Sequence, residues 1–233
     1  MVVMSFFFVD AILELGVPAT IAGEAAHHIG AVRRMKSGTE IALQDPSGGR
    51  YLARIESPGK RELVVLPLSP MPIPVRPERR IALLQAHIAE QKLDIVLQKA
   101  TELGAARIIV WQAEHSPHEI ATERVAHKRE RFTAIMRNAC EQSGRPDVPE
   151  LIFADSLATA LADADSTQFI LLDAAGADTA AFGEDIALIV GPEGGLSDAE
   201  RALCTTREMP ALTLGTYTLR AETAAIAGLA KVL

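Results

Sequence analysis

From residue 78 onward, short apolar runs alternate with stretches that are apolar on one helical face only. Ile81–Ala86, Phe169–Leu172 and Ile186–Val190 are continuous apolar segments, as strands buried on both faces require. Arg107–Trp111 reads as a further strand, Glu150–Phe153 as a weak one followed by a short helix, and Ala211–Leu214 as the last. Between them, Ala89–Leu103 places Leu93, Val96, Leu97, Ala100 and Leu103 at helical spacing, with Gly104 as its stop. Thr122–Gln142 predicts a long polar helix. Ser197-Asp198-Ala199-Glu200 has the form of a capping box opening a helix to about Arg207. Ala221–Val232 predicts the final helix. Strands alternating with helices imply an α/β domain built on a mostly parallel sheet covered on both faces.

The first third has a different rhythm. Glu40–Leu43 and Tyr51–Ile55 flank Asp45-Pro46-Ser47-Gly48-Gly49, a hairpin signal. Leu63–Leu66 predicts a third strand, and Glu24–Met35 a short helix or turn. These elements suggest a small β-barrel of about 65 residues, marginal in stability alone. Leu66–Pro77 then holds five of the 13 prolines, a density that favours a stiff, extended connection over a helix or central strand. The expected organisation is a barrel over residues 1–70, a linker over 71–77 and the α/β domain over 78–233.

Composition narrows the function. Hydrophobic residues are 48% of the chain and aromatics only 4%, so the core is mostly Ala, Leu, Ile and Val. No run of uncharged apolar residues is long enough to span a bilayer. The opening residues lack a basic segment, and Asp10 and Glu14 interrupt their apolar stretch, unlike a secretory leader. Cys140 and Cys204 stand far apart, outside any metal-ligand spacing. No metal is expected, and a reducing cytoplasm fits. His27, His28, His115 and His118 lack ligand partners at standard spacing and read as surface or packing residues. The net charge of −7 is unevenly spread: residues 151–233 carry four Lys and Arg against 12 Asp and Glu, residues 1–77 eight against seven. The first part therefore retains cations for a basic face, with Arg33, Arg34 and Lys36 foremost and Arg50 and Arg54 nearby in sequence.

In open parallel sheets, ligands bind beyond the carboxyl ends of the strands. Three segments qualify: Leu172–Gly176, Gly191-Pro192-Glu193-Gly194-Gly195, and Gly215–Thr218. The glycines allow close backbone approach to a ligand. The second segment is neither a P-loop nor a dinucleotide fingerprint. The third leads into Leu219-Arg220-Ala221-Glu222-Thr223-Ala224, which places a cation and a carboxylate at the start of an apolar helix.

These motifs carry a resemblance. His28-Ile29-Gly30 with Val32, Arg34 and Met35, then Gln98–Gly104, Ala139–Arg145, Gly191–Ser197, and Leu214-Gly215 with Leu219–Ala224 resemble the RsmE family of SPOUT methyltransferases over nearly the whole chain. The resemblance implies a trefoil-knotted, mostly parallel sheet behind a small N-terminal PUA-like β-barrel that docks RNA. It also implies S-adenosylmethionine as cofactor, a homodimer, and methylation of uridine N3 at position 1498 of 16S ribosomal RNA in the small subunit. Carried onto this chain, Arg220 and Glu222 become the catalytic candidates. Leu171, Leu172, Gly191, Pro192, Glu193, Gly194, Leu214, Gly215, Tyr217, Leu219 and Thr223 become cofactor candidates, and Arg33, Arg34, Lys36 and Lys92 RNA contacts. The chain departs from the family pattern at Phe6, at Glu114–Glu119 and at Tyr217-Thr218, in each case losing positive charge near the expected RNA surface.

Overall fold

A computed structural model describes residues 6–117, 125–179 and 181–233. His118, Glu119 and the first three residues of the helix predicted over 122–142 lie outside the described residues. Tertiary contacts divide the chain into two units, one running up to Val75 and taking in Cys140–Asp147, the other made of Arg76–Ala139 and Val148–Leu233.

The smaller unit is a mixed five-stranded sheet that forms a half-barrel. Its strands are β1 (Phe6–Phe8), β2 (Ala19–Ala22), β3 (Glu40–Gln44), β4 (Arg50–Ser57) and β5 (Glu62–Pro70), in the order β1-β3-β4-β5-β2. β1 is parallel to β3, and the other pairs are antiparallel. Ile41 and Leu43, Ala53 and Ile55, and Leu63 and Val65 alternate inward at a period of two and close on Ile21, Ala26 and Ile29. The Asp45–Gly49 hairpin forms as expected. Asp45 accepts backbone N–H groups from Leu13, Ser47 and Gly49. Burial opposes its charge, but these bonds and the Ser47 hydroxyl outweigh burial and hold its carboxyl below the usual range.

Three features differ from the sequence reading. β1 and β2 are additional strands. The predicted helix or turn becomes α1 (Gly23–His27), which runs into a wide helical turn over His28–Val32. The third strand continues past Leu66 through Pro67 to Pro70, despite the prolines. β2 pairs with β5 only over Glu62–Val65; beyond that point Pro67 O accepts the Gly16 N–H at 2.9 Å, and no strand on that edge needs a proline N–H.

The larger unit is a six-stranded, wholly parallel sheet in the order β11-β9-β10-β6-β7-β8. Its strands are β6 (Arg80–Ala86), β7 (Arg107–Trp111), β8 (Glu150–Ala154), β9 (Gln168–Ala177), β10 (Asp185–Val190) and β11 (Ala211–Leu212). One face carries α2 (Glu90–Glu102), α3 (Val125–Ser143) and α6 (Ala221–Val232) over Ile81, Leu83, Ile108, Val110 and Leu188. The other carries α4 (Leu157–Asp163) and α5 (Asp198–Thr206) over Ala82, Leu84, Ile109 and Ile189. The capping box is present, with Ser197 and Glu200 each accepting from the other's backbone N–H. β10 inserts between β6 and β9, so the chain's later strands double back along the sheet. β9 outruns its apolar run because its tail pairs with β11. At Gly176 the two backbones cross so closely that a Cβ would lie 2.5 Å from the Ala211 carbonyl carbon.

Candidate active site

The parallel strands of the larger unit all end on the same side, and three of those ends close on one cavity of about 410 Å³. β9 contributes Leu171 to Ala174, β10 runs through Val190 into Gly191-Pro192-Glu193, and the segment after β11 contributes Thr218, Leu219 and Arg220. The walls are largely aliphatic, as a site for a flat organic ligand requires. A smaller adjoining hollow of about 100 Å³ shares Leu172, Asp173, Thr218 and Leu219 and adds Leu212, Leu214 and Tyr217.

The glycine segment is held from several sides. Gly195 N–H donates to Pro192 O at 3.0 Å, which closes a turn with Gly195 at φ +76°. His115 Nδ1 lies 3.1 Å from Gly195 O. A Cβ on Gly194 would stand 2.9 Å from His115 Cβ, so the loop needs glycine there. The Lys92 ammonium, in the first turn of α2, pairs with the Glu193 carboxylate. Glu200, beyond its capping role, accepts the Glu114 backbone N–H at 3.0 Å.

The cavity's charges are mostly paired. Asp173, at the end of β9's buried run, accepts the Ala175 backbone N–H and an Arg201 N–H, each at 2.9 Å. The backbone bond and the guanidinium together hold its carboxyl below the usual range against burial. Arg220 is different. It is the N-cap residue of α6, exposed and lining the cavity, and among the described residues it has no carboxylate partner. Two positions on, one Glu222 oxygen is buried without a hydrogen-bond partner among the described residues.

The cavity gathers most of the residues singled out from sequence. Leu171, Leu172, Gly191, Pro192, Glu193, Leu219 and Arg220 line the larger hollow, and Leu214 and Tyr217 the smaller. Gly194, Gly215 and Thr223 belong to the same loops and helix without lining either. Sequence reasoning gave Asp173 only as part of the Leu172–Gly176 segment, read His115 as a surface or packing residue, and passed over Arg201. Only the acid directly after a buried strand carried a readable signal.

The model of the RNA methyltransferase domain matches residues 76–233, and that of the RNA methyltransferase PUA domain matches residues 21–68. The chain belongs to the RNA methyltransferase family. Its relatives place it in the RsmE branch. It is 29% identical to the ribosomal RNA small subunit methyltransferase E of Bacillus subtilis, over 91% of this chain and 88% of that one. A methyltransferase of Legionella pneumophila, solved with bound SAM, superposes with a TM-score of 0.89 at 31% identity, covering 98% of this chain and 96% of the other. The Neisseria gonorrhoeae ribosomal RNA small subunit methyltransferase E bound to S-adenosyl methionine gives 0.85 at 27%, with the same coverage. This chain shares the fold of both, a SPOUT methyltransferase sheet with a PUA domain before it.

The small unit carries the remaining family candidates. Arg33, Arg34 and Lys36 are exposed on the turn after the wide helical segment. Arg50 and Arg54 do not join them. Arg50 is buried with its guanidinium 3.8 Å over the Phe6 ring and donates to Gln44 and to the Gly144 carbonyl. Arg54 pairs with Glu56 at 2.8 Å. Phe6, at 0% exposure, is thus a core residue under a buried cation. Lys92 belongs to the larger unit, where Glu193 takes its charge.

Proposed function

We propose that this chain transfers the methyl group of S-adenosylmethionine to N3 of uridine 1498 in 16S ribosomal RNA of the small subunit. The observation that carries the reading is the convergence of three strand ends on one largely aliphatic cavity lined by Gly191 and Gly195, with Arg220 at its edge unpaired among the described residues. The cofactor supplies an electrophilic methyl when bound. The donor set suits it: peptide groups of Gly191–Gly195 and Leu214–Leu219 can meet an adenine edge, Leu171, Leu172, Leu196 and Leu219 its faces, and the Asp173 and Glu193 carboxylates its cationic end.

In neutral uridine N3 bears a proton, so the site must stabilise the anion left by its loss. Arg220, free of a carboxylate, is placed to put positive charge beside the developing oxyanion of the uracil. Glu222, with one oxygen buried and unpartnered, is the candidate acceptor for the N3 proton or the base edge. Holding nucleophile and methyl in line supplies a further share of the rate. The smaller unit, with Arg33, Arg34 and Lys36 exposed, would hold the RNA. A trefoil-knotted chain and a homodimer are part of the same proposal. Tyr217, 85% exposed at the lip of the smaller hollow, is a surface a second copy would cover. Among the described residues no helix is long and apolar enough to cross a membrane, and the proposed setting is the cytoplasm.

The deciding experiment is methyl transfer from labelled S-adenosylmethionine to small subunits lacking the modification, with nucleosides read by mass spectrometry. Appearance of N3-methyluridine establishes the reading. Cofactor binding without transfer favours a second reading, methylation of another RNA. Tyr217, Thr218 and the Glu114–His115 segment support that reading by replacing the basic residues the family carries. Absence of both leaves a non-catalytic RNA-binding assembly factor.

A further inference from the structure

The smaller unit brings two separate basic segments onto one end. The first is the turn Arg33, Arg34, Lys36. It is closed by Arg33 N–H to His28 O at 2.9 Å and Met35 N–H to Ile29 O at 3.1 Å, with Arg34 at φ +52°. The second is the β4–β5 hairpin, whose tip carries Lys60 and Arg61. Gly30 joins them: a Cβ there would lie 2.0 Å from Gly59 O and 3.6 Å from Lys60 Cα. The hairpin backbone therefore rests directly on the helical turn. Ser37 Oγ–H to Glu56 O at 2.9 Å and Gly38 N–H to Ile55 O at 2.8 Å stitch the two further.

All five cations are exposed, and among the described residues none has a carboxylate within ion-pairing distance. The neighbouring acids are Glu24, Glu62 and Glu56, and Glu56 is occupied by Arg54. This charge stands on a chain whose net is −7. Among the described residues no Phe, Tyr or Trp ring of this unit is exposed: Phe6 and Phe7 are buried, Phe8 and Tyr51 half-buried, and the one exposed ring is the small imidazole of His27. Proteins that grip single strands add stacking rings to their cations, whereas duplex RNA is held through phosphates and shape.

We infer that the Gly30–Gly59 contact assembles Arg33, Arg34, Lys36, Lys60 and Arg61 into one phosphate-tracking surface for the backbone of an A-form RNA helix, without base readout. The inference rests on RNA being the substrate, and it adds the hairpin pair and the duplex preference.

The test uses the full chain, an RNA duplex of about 16 base pairs and an unpaired RNA of equal length, over a range of salt concentrations. The duplex is expected to bind more tightly. Lys60→Gln with Arg61→Gln should flatten the log–log salt dependence by about two units, and should raise KM for small-subunit RNA roughly tenfold. The loss should appear in KM and not in kcat, with thermal stability and S-adenosylmethionine affinity as in the wild type. An unchanged salt slope, tighter binding of the unpaired strand, or equal binding to phosphatidylserine vesicles overturns the inference. Methyl transfer with an unchanged slope would sink this surface and leave the enzyme standing. The expected slope change with no methylation of any RNA would do the reverse.

Discussion

The cavity of the larger unit and the basic end of the smaller one use charge in opposite ways. Around the cavity, Lys92 answers Glu193 and Arg201 answers Asp173, and among the described residues Arg220 is left over. On the smaller unit no cation of the 33–36 turn or the 60–61 tip is answered among the described residues. Paired charges fix the walls of a site and leave little net field, so the remaining charge acts at one point. Unpaired exposed charges do not shape anything. They make a field that reaches a polyanion through solvent and falls away with salt. A role in chemistry is therefore expected where one cation stands among pairs, and a role in docking where several stand among none.

The sharpest way to break this contrast is to remove the lone cation. Arg220→Ala is expected to lower methyl transfer by about 10² to 10³, the usual cost of deleting a donor aimed at developing negative charge. Cofactor affinity, read by calorimetry, should barely change. Lost cofactor binding would instead make Arg220 one more wall residue, and the distinction between paired and unpaired charge would fail at its main point.

The next effect tests whether the basic end depends on the glycine contact. Gly30→Ala drives a Cβ into the Gly59 carbonyl, a backbone atom that cannot swing aside. About 1–3 kcal/mol of destabilisation is expected, as for overpacked cores. Urea unfolding should show it as a lower midpoint, while the cavity proposed for the cofactor, lined by the larger unit, keeps its affinity. An unchanged midpoint would mean that the hairpin is free to lift from the turn.

A smaller effect comes from the pair behind the glycine loop. Lys92→Glu or Glu193→Lys alone should weaken cofactor binding severalfold, on the scale of about 1 kcal/mol for a partly exposed ion pair. The double charge swap should restore most of it. RNA affinity should not follow. If it falls with Lys92→Glu and the swap does not rescue it, Lys92 is an RNA contact, as the family resemblance implies.

Much of the larger unit was legible because its strands are buried on both faces and its helices on one, so the periodicity states the architecture directly. The glycine loop, Arg220 and Glu222 were legible because they follow those strands. The tail of β9 was not, since Asp173–Ala177 reads as a loop and becomes strand only by crossing β11 at Gly176. β1 is three residues long and finds its parallel partner at Ala42–Gln44, a pairing no local pattern announces. The charges were hardest. Arg50 looks like a surface cation in sequence, yet Phe6, Gln44 and the Gly144 carbonyl bury it. Lys60 and Arg61 look like an ordinary hairpin tip until Gly30 and Gly59 bring the segments together. Which cations are paired depends on residues far apart in the chain, 101 positions for Lys92 and Glu193.

The smallest effect concerns His28, beside the basic turn. Its ring packs edge-on against Phe7 at 5.4 Å, and Nδ1 lies 3.7 Å from a Glu141 oxygen. Burial, with the nearby Arg33 charge and a lesser push from His27, lowers its pKa below the ordinary 6.5, and Glu24 opposes this only in part. A histidine held neutral in the fold but free to protonate when unfolded favours the folded state above its unfolded pKa. That contribution declines as pH falls below about 6.5 and is lost through the lower folded value. The unfolding midpoint of the smaller unit should therefore drop on acidification from pH 7 to pH 5, and His28→Gln should remove that part of the slope. A steeper loss in the variant would mean that Glu141 stabilises the imidazolium. The turn would then carry a paired charge among its unpaired ones, and the contrast with the cavity would be one of degree.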